Sequence, residues 1–170
     1  MNIQHSSKTD RWFTPDSLMF YVRQVLGNIE LDPASEEAAN LIVKADKFIS
    51  EDSLNKEWKA KTVFLNPPGG KIGNHSQAAL FWQKLVDAHQ KGHVQEAIFI
   101  GFSLELLAVS QNYRWPYMLD YTICIPRRRI KFVNPLSPNK SAPSHSNVIV
   151  YLGENEGKFK KVFNSLGACK

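Results

Sequence analysis

Three consecutive apolar residues, Val63, Phe64 and Leu65, run straight into Asn66-Pro67-Pro68. The apolar run has the character of a buried strand, and the two prolines end it. Neither can donate a backbone hydrogen bond, each fixes its own φ, and each biases the residue before it away from helix. The backbone from Asn66 onward is therefore stiff and extended, and a stiff segment can hold carbonyl oxygens towards a ligand. Asn66 adds a side-chain oxygen beside the main-chain carbonyl of Pro67, giving two uncharged acceptors close together. Two such acceptors suit an amino group. The competing reading is a plain strand-to-helix turn, in which all three residue types are common.

Period and punctuation give a coarse map of the rest. Pro15 opens a helix carrying Leu18, Tyr21, Val22, Val25 and Leu26, and Gly27 stops it. A strand over 29–32, a helix over 36–45 and a strand over 62–66 follow. A helix over 77–90 places Leu80, Phe81, Lys84, Leu85 and Ala88 at helical spacing, with Gly92 beyond its end. Next come a strand over 97–102, a helix over 103–110 and a strand over 121–125. Residues 130–133 and 148–152 read as a terminal hairpin. Such alternation predicts one α/β domain over 1–170 with a mostly parallel, Rossmann-like sheet and a C-terminal antiparallel hairpin. Ligands of such sheets bind beyond the carboxyl ends of the strands. Asp32 and Asn66 both fall at those ends.

The neighbours of Asn66 sharpen the reading. Upstream lie Trp12-Phe13-Thr14-Pro15 and Leu31-Asp32-Pro33-Ala34-Ser35. Asp52-Ser53-Leu54 follows with Trp58, then Phe64-Leu65-Asn66-Pro67-Pro68, and late in the chain Arg129-Ile130-Lys131-Phe132. In order and spacing this series resembles the phage-type DNA N6-adenine methyltransferases, the Dam-like family of small enzymes that depend on S-adenosylmethionine, over most of the chain. The resemblance implies that Asp32 and Ala34, after the first strand, hold the methionine end of the donor. It implies that Asp52 accepts from the donor's adenine amino group and that Thr14 and Pro15 belong to a segment closing over the donor. Asn66 and Pro67 would accept from the target N6 amino group, with Pro68 shaping the same turn.

The chemistry calls for these residue types. The exocyclic amine of adenine is a poor nucleophile because its lone pair is delocalised into the ring. Two acceptors gripping its hydrogens favour the localised lone pair, and they stabilise the positive charge that develops on nitrogen during attack. The donor methyl is already activated, so the protein mainly aligns the reacting atoms. No metal is required.

One departure from the family pattern stands out. An aromatic residue that stacks on the extruded adenine often follows the second proline, whereas Gly69 and Gly70 stand here. A base taken out of a duplex must be held by aromatic or apolar contacts, so a ring would have to come from elsewhere: Phe81 or Trp82 on the next helix, or Trp12. The Gly69-Gly70-Lys71 step is not a triphosphate loop, because Leu65 stands where the first glycine of that motif belongs and Ile72 where a Ser or Thr belongs.

A formal net charge of +5 suits a polyanionic partner. Arg127, Arg128, Arg129 and Lys131 form a tight basic block near Trp115 and Phe132, with a solvated loop as the competing reading. Such a block would give salt-sensitive affinity without reading sequence. Residues 134–147, with three prolines, make a long loop on the expected substrate side. With the segment 69–76, Gly69 and Lys71 included, it would touch DNA around the target base, and His145 would be a base or phosphate contact, with a solvated loop histidine as the competing reading. No run is long enough to span a membrane, and residues 1–10 lack the apolar stretch of a signal peptide. The expected setting is cytoplasmic, in a bacterial host if the gene is a phage's. Cys124 and Cys169 are then expected as reduced thiols.

The sequence thus points to transfer of a methyl group from S-adenosylmethionine to adenine N6 in DNA. The alternative is a methyltransferase-fold protein that lost catalysis with its stacking ring and binds DNA or donor. A third reading is methylation of an amine on RNA or protein.

Overall fold

The computed structural model describes residues 12–112, 116–134 and 145–170. Residues 1–10, Trp115 and positions 135–144 of the expected substrate-side loop lie outside the described residues. In chain order the elements are α1 (Asp16–Leu26), β1 (Leu31–Asp32), α2 (Glu37–Val43), β2 (Lys47–Phe48), β3 (Ala60–Leu65), β4 (Lys71–Ile72), β5 (His75–Ser76), α3 (Gln77–Gln90), β6 (Val94–Gly101), α4 (Glu105–Asn112), β7 (Thr122–Pro126), β8 (Val148–Leu152), α5 (Glu156–Phe163) and β9 (Gly167–Cys169). Short 3-10 turns occupy Ser53–Asn55 and Met118–Asp120.

Among the described residues seven strands form one sheet in the order β2-β1-β3-β6-β8-β7-β9, and β4 with β5 forms a separate hairpin. Strands β2, β1, β3 and β6 are mutually parallel. β8 is antiparallel to both β6 and β7, and β9 is antiparallel to β7. β7 therefore runs with the parallel set, and the central sheet is mostly parallel, as expected.

β3 shows why the parallel half is buried on both sides. Val63 and Leu65 belong to the core beneath α3, together with Ala97 and Phe99 of β6 and Trp82 and Leu85 of α3. Phe64 points the other way, into a second core with Ile98, Ile100, Val22 of α1 and Phe159 of α5. A strand covered on both faces reads as a continuous apolar run rather than an alternating one. Burying each such side chain contributes about 1.5–3 kcal/mol, so the strand ends that carry polar residues rest on a well-anchored floor.

Helix boundaries follow local chemistry. Pro15 occupies the N-cap of α1 in extended conformation. Gly27 ends the helix at φ 70° and donates its N–H to the Arg23 carbonyl, a left-handed exit that glycine adopts without strain. α3 starts and stops where its periodicity predicts. At the end of β6, Gly101 is required by close approach: a Cβ there would lie 2.6 Å from Cγ1 of Val148 on β8.

The terminal hairpin forms differently from expectation. β8 does pair antiparallel, but with β6 and β7, not with residues 130–133. Ile130 gives its N–H to the Asn147 side chain, and Val133 bridges Phe13 in an isolated antiparallel pair. The alternation of Ile130-Lys131-Phe132-Val133 suggests a strand, yet Ile130 and Val133 find their backbone partners outside any named strand. No helix among the described residues is long and apolar enough to cross a membrane.

Candidate functional site

The chain leaves β1 outward to β2 and then returns to β3 on the opposite flank of β1. Such a reversal splays the connections apart at the carboxyl edge and opens a crevice there. The crevice is a cavity of about 710 Å³, within the range of small-molecule and cofactor sites. Its walls include Asp32 and Ala34 after β1, Asp52 beyond β2, and Asn66, Pro67, Pro68 and Gly69 after β3. Thr14 and His145 line it as well.

Asn66 is fixed by a segment far away in sequence. Its Nδ2 donates to the Trp12 carbonyl at 3.0 Å and to Thr14 Oγ1 at 3.2 Å. An amide nitrogen carries two hydrogens, so these acceptors occupy both and orient the group with Oδ1 as its acceptor. Thr14, buried as it is, thus touches Asn66 directly. Pro15 caps α1 and does not line the cavity.

Asp32 ends β1 almost wholly buried. Its Oδ1 accepts the Ala34 N–H at 3.0 Å, the short-range bond by which aspartate shapes a turn. Burial pushes its carboxyl up to about 7, the Ala34 N–H and the Ser35 side chain only partly offsetting the loss of solvent. The next turn is tied to this one: Ser53 Oγ donates to the Pro33 carbonyl, and Trp58 Nε1 donates to the Ser53 carbonyl at 3.1 Å. Asp52 stands just ahead at φ 52°, a left-handed conformation rare outside glycine but tolerated by aspartate. Asn55 Nδ2 donates to Asp52 Oδ1 at 2.6 Å, which holds the carboxylate at the cavity wall.

The turn after Pro68 is pinned to α3. Gln77 gives its backbone N–H to the Gly70 carbonyl and its side-chain amide to the Gly69 carbonyl, both at 3.0 Å. The β4–β5 hairpin projects from this clasp, placing Ile72 on the cavity wall with Lys71 exposed beside it.

The basic block is not part of the cavity lining. Arg127 donates to the carbonyls of Ser165 and Asn164 at 2.9 and 3.1 Å, where it caps the end of α5 and meets the negative end of the helix dipole. Arg128 and Arg129 are exposed.

Two of the rings expected to be available are not. Trp82 is fully buried, packed edge-on to Phe99 and Tyr121, with its Nε1 donating to the Pro116 carbonyl. Phe81 touches the cavity but is only 5% exposed and lies against Trp58, so it cannot offer a face. Trp12 does line the cavity and is exposed. Sequence reasoning missed Phe102 and Asn147, which also line it. Phe102 carried a usable signal, since it follows the end of a strand as Asn66 does. Asn147 carried none, because a buried asparagine at the end of a proline-rich loop has no periodicity.

No curated protein matches the chain. A family profile described as DNA N-6-adenine-methyltransferase (Dam) matches residues 2–161, which takes in every strand end that builds the crevice. A match over nearly all of the chain, spanning every strand end of the crevice, shows that this protein belongs to the DNA N-6-adenine-methyltransferase (Dam) family.

Proposed function

We propose that the protein transfers a methyl group from S-adenosylmethionine to the N6 amine of adenine in DNA. The observation that carries this reading is the orientation of Asn66, whose amide nitrogen is engaged by Trp12 and Thr14 so that Oδ1 is left to accept. With the Pro67 carbonyl it would grip the two N6 hydrogens of an extruded adenine. The grip localises the nitrogen lone pair, and both oxygens interact more strongly with the amine as it becomes positive, which is selective stabilisation of the transition state.

The residues across the crevice suit the donor. S-adenosylmethionine, when bound, supplies a methyl group activated by a sulfonium, and it also carries an ammonium. Asp32, a carboxylate whose ionisation is opposed by burial, is a natural counter-charge for such a cation. Asp52, whose second oxygen is not the one bonded to Asn55, would accept from the donor's adenine amine. Ala34 lines the wall between them. Thr14 would act on both halves, forming part of the cavity wall and holding Asn66. Pro68 keeps the turn extended, and Gly69 leaves room beside it.

On the DNA side, Lys71, Arg128, Arg129 and His145 would contact the backbone near the target. Arg127 would contribute through the fold rather than by phosphate contact, since its guanidinium is bonded to the end of α5.

The test is transfer of labelled methyl from S-adenosylmethionine to unmodified duplex DNA, with nucleoside analysis for N6-methyladenine and Asn66→Ala as control. Label in N6-methyladenine that disappears in the variant while donor binding persists supports the reading. Label on RNA or protein alone, or turnover unchanged in Asn66→Ala, overturns it.

A further inference from the structure

Gly69 and Phe102 stand at the ends of neighbouring parallel strands. The β3–β6 register pairs Leu65 with Phe99, so Pro68 and Phe102 lie equally far beyond the paired positions. Alternation along β6 sends Ala97 and Phe99 into the core under α3 and Ile98 and Ile100 into the opposite core. Continued two residues, it puts Phe102 on the Ile100 side. The same count along β3 puts Asn66 on the Phe64 side, which is the same face of the sheet.

The backbone around Phe102 is fixed. Gly101 before it is buried, paired with Val148, and its carbonyl accepts from Asn147 Nδ2 at 3.2 Å. Ser103 after it is buried, and its Oγ accepts the Glu105 N–H at 3.1 Å at the start of α4. Between these anchored neighbours the Phe102 side chain is 42% exposed, and it lines the same cavity as Asn66. A large exposed ring held by anchored backbone at the rim of the crevice is what a stacking platform requires. The turn after β3 carries no ring of its own, and a Cβ built on Gly69 meets nothing within 4 Å.

We infer that Phe102, just beyond β6, is the ring that stacks on the extruded adenine, where the turn after β3 supplies none. The inference rests on the proposed methyl transfer to DNA and adds the residue that holds the base. Phe102 receives one face of the purine while Asn66 and Pro67 hold its amino group.

The experiment measures kcat and KM on unmodified duplex DNA at saturating S-adenosylmethionine for wild type, Phe102→Ala, Phe102→Leu, Phe102→Tyr and the double variant Phe102→Ala with Gly69→Phe. Loss of one aromatic–base stack corresponds to roughly a ten- to hundredfold fall in kcat/KM. That fall is expected in Phe102→Ala and Phe102→Leu, with donor affinity unchanged. Phe102→Tyr should retain most activity, and the added ring at position 69 should restore at least part of what Phe102→Ala lost. Gly69 suits this test because it has space and no positive φ, unlike Gly70 at φ 83°. Full activity in Phe102→Ala, or in Phe102→Leu, overturns the inference and leaves the methyltransferase reading standing. A second readout is independent of turnover: duplexes with 2-aminopurine in place of adenine should emit more brightly when bound to Phe102→Ala than to wild type, because the stacked ring quenches the extruded base. Equal emission from the two complexes overturns the inference. A wild-type protein that transfers no methyl group to any DNA defeats the functional reading before Phe102 is altered.

Discussion

Thr14 and Asn66 meet across 52 residues of chain, the Asn66 amide nitrogen donating to the threonine hydroxyl at 3.2 Å. The bond helps to fix which amide atom is engaged and which is left to accept. Thr14→Val keeps shape and burial but removes this acceptor, so the amide is held by the Trp12 carbonyl alone. The loss of one such bond is worth about 1 kcal/mol, roughly a fivefold fall in kcat. Thr14→Ser should retain the wild-type rate. Steady-state kinetics on duplex DNA, with donor affinity measured separately, distinguishes loss of amide orientation from damage to the donor site, which would appear in donor affinity.

Asp32 makes stability depend on pH in an unusual direction. Burial raises its carboxyl to about 7 in the folded protein, against about 3.9 in an unfolded chain. Between those values the folded state keeps a proton that the unfolded state has released. The group's stabilising contribution is therefore complete below about pH 4 and is lost as pH rises through 7, a swing of roughly 4 kcal/mol. Asp32→Asn retains an oxygen for the Ala34 N–H and removes the titration. Its melting temperature should exceed that of wild type at pH 8 and approach it at pH 5. A cationic donor favours the ionised form, so S-adenosylmethionine should bind wild type more tightly at pH 8 than at pH 6, and this dependence should vanish in Asp32→Asn. Calorimetry at several pH values checks both.

Arg127 and Arg128 are adjacent in sequence and should separate in behaviour. Arg127→Ala removes two bonds to the end of α5 and should cost about 1 kcal/mol of stability. The slope of log K against log salt for DNA binding should stay as in wild type. Arg128→Ala should leave the melting temperature within a degree or two and reduce that slope by about one, the signature of one lost phosphate contact. Salt titrations of DNA affinity beside thermal melts decide the assignment.

Gly101 couples packing to the site. A methyl group there would lie 2.6 Å from Val148 Cγ1 and 3.2 Å from Leu106 Cδ1. Gly101→Ala should destabilise by about 1–3 kcal/mol, as overpacking does. Pairing it with Val148→Ala should recover part of the loss. Urea unfolding of the two single variants and the double variant measures the coupling.

Much of the architecture was legible because burial on both faces leaves unmistakable apolar runs. Val148–Leu152 and Gln77–Gln90 were expected with the boundaries they have. The two-residue β2 was not foreseen, since Lys47 and Phe48 carry no period and pair only through β1. α5 was missed because its fully buried residues are only Phe159 and Phe163, set among lysines and a glycine. The β4–β5 hairpin was a fair miss of a real signal, since Gly73-Asn74 between short segments is the two-residue loop that hairpins favour. Within the crevice, strand-end logic located Asp32 and Asn66 but could not reveal that Thr14 holds Asn66 or that Arg127 is engaged by α5. Both depend on contacts between segments far apart in sequence, which no local pattern encodes.

The Phe13–Val133 bridge closes the segment bearing Trp12 and Thr14 against residues that follow β7, through a reciprocal pair of backbone bonds at 2.8 and 2.9 Å. During synthesis the Asn-Pro-Pro turn leaves the ribosome long before Val133 does. The strap that orients its amide cannot be fastened until that later residue has emerged. The crevice around Asn66 is therefore among the last parts of the molecule to be completed, and a nascent chain carries the turn without the Phe13–Val133 strap beside it.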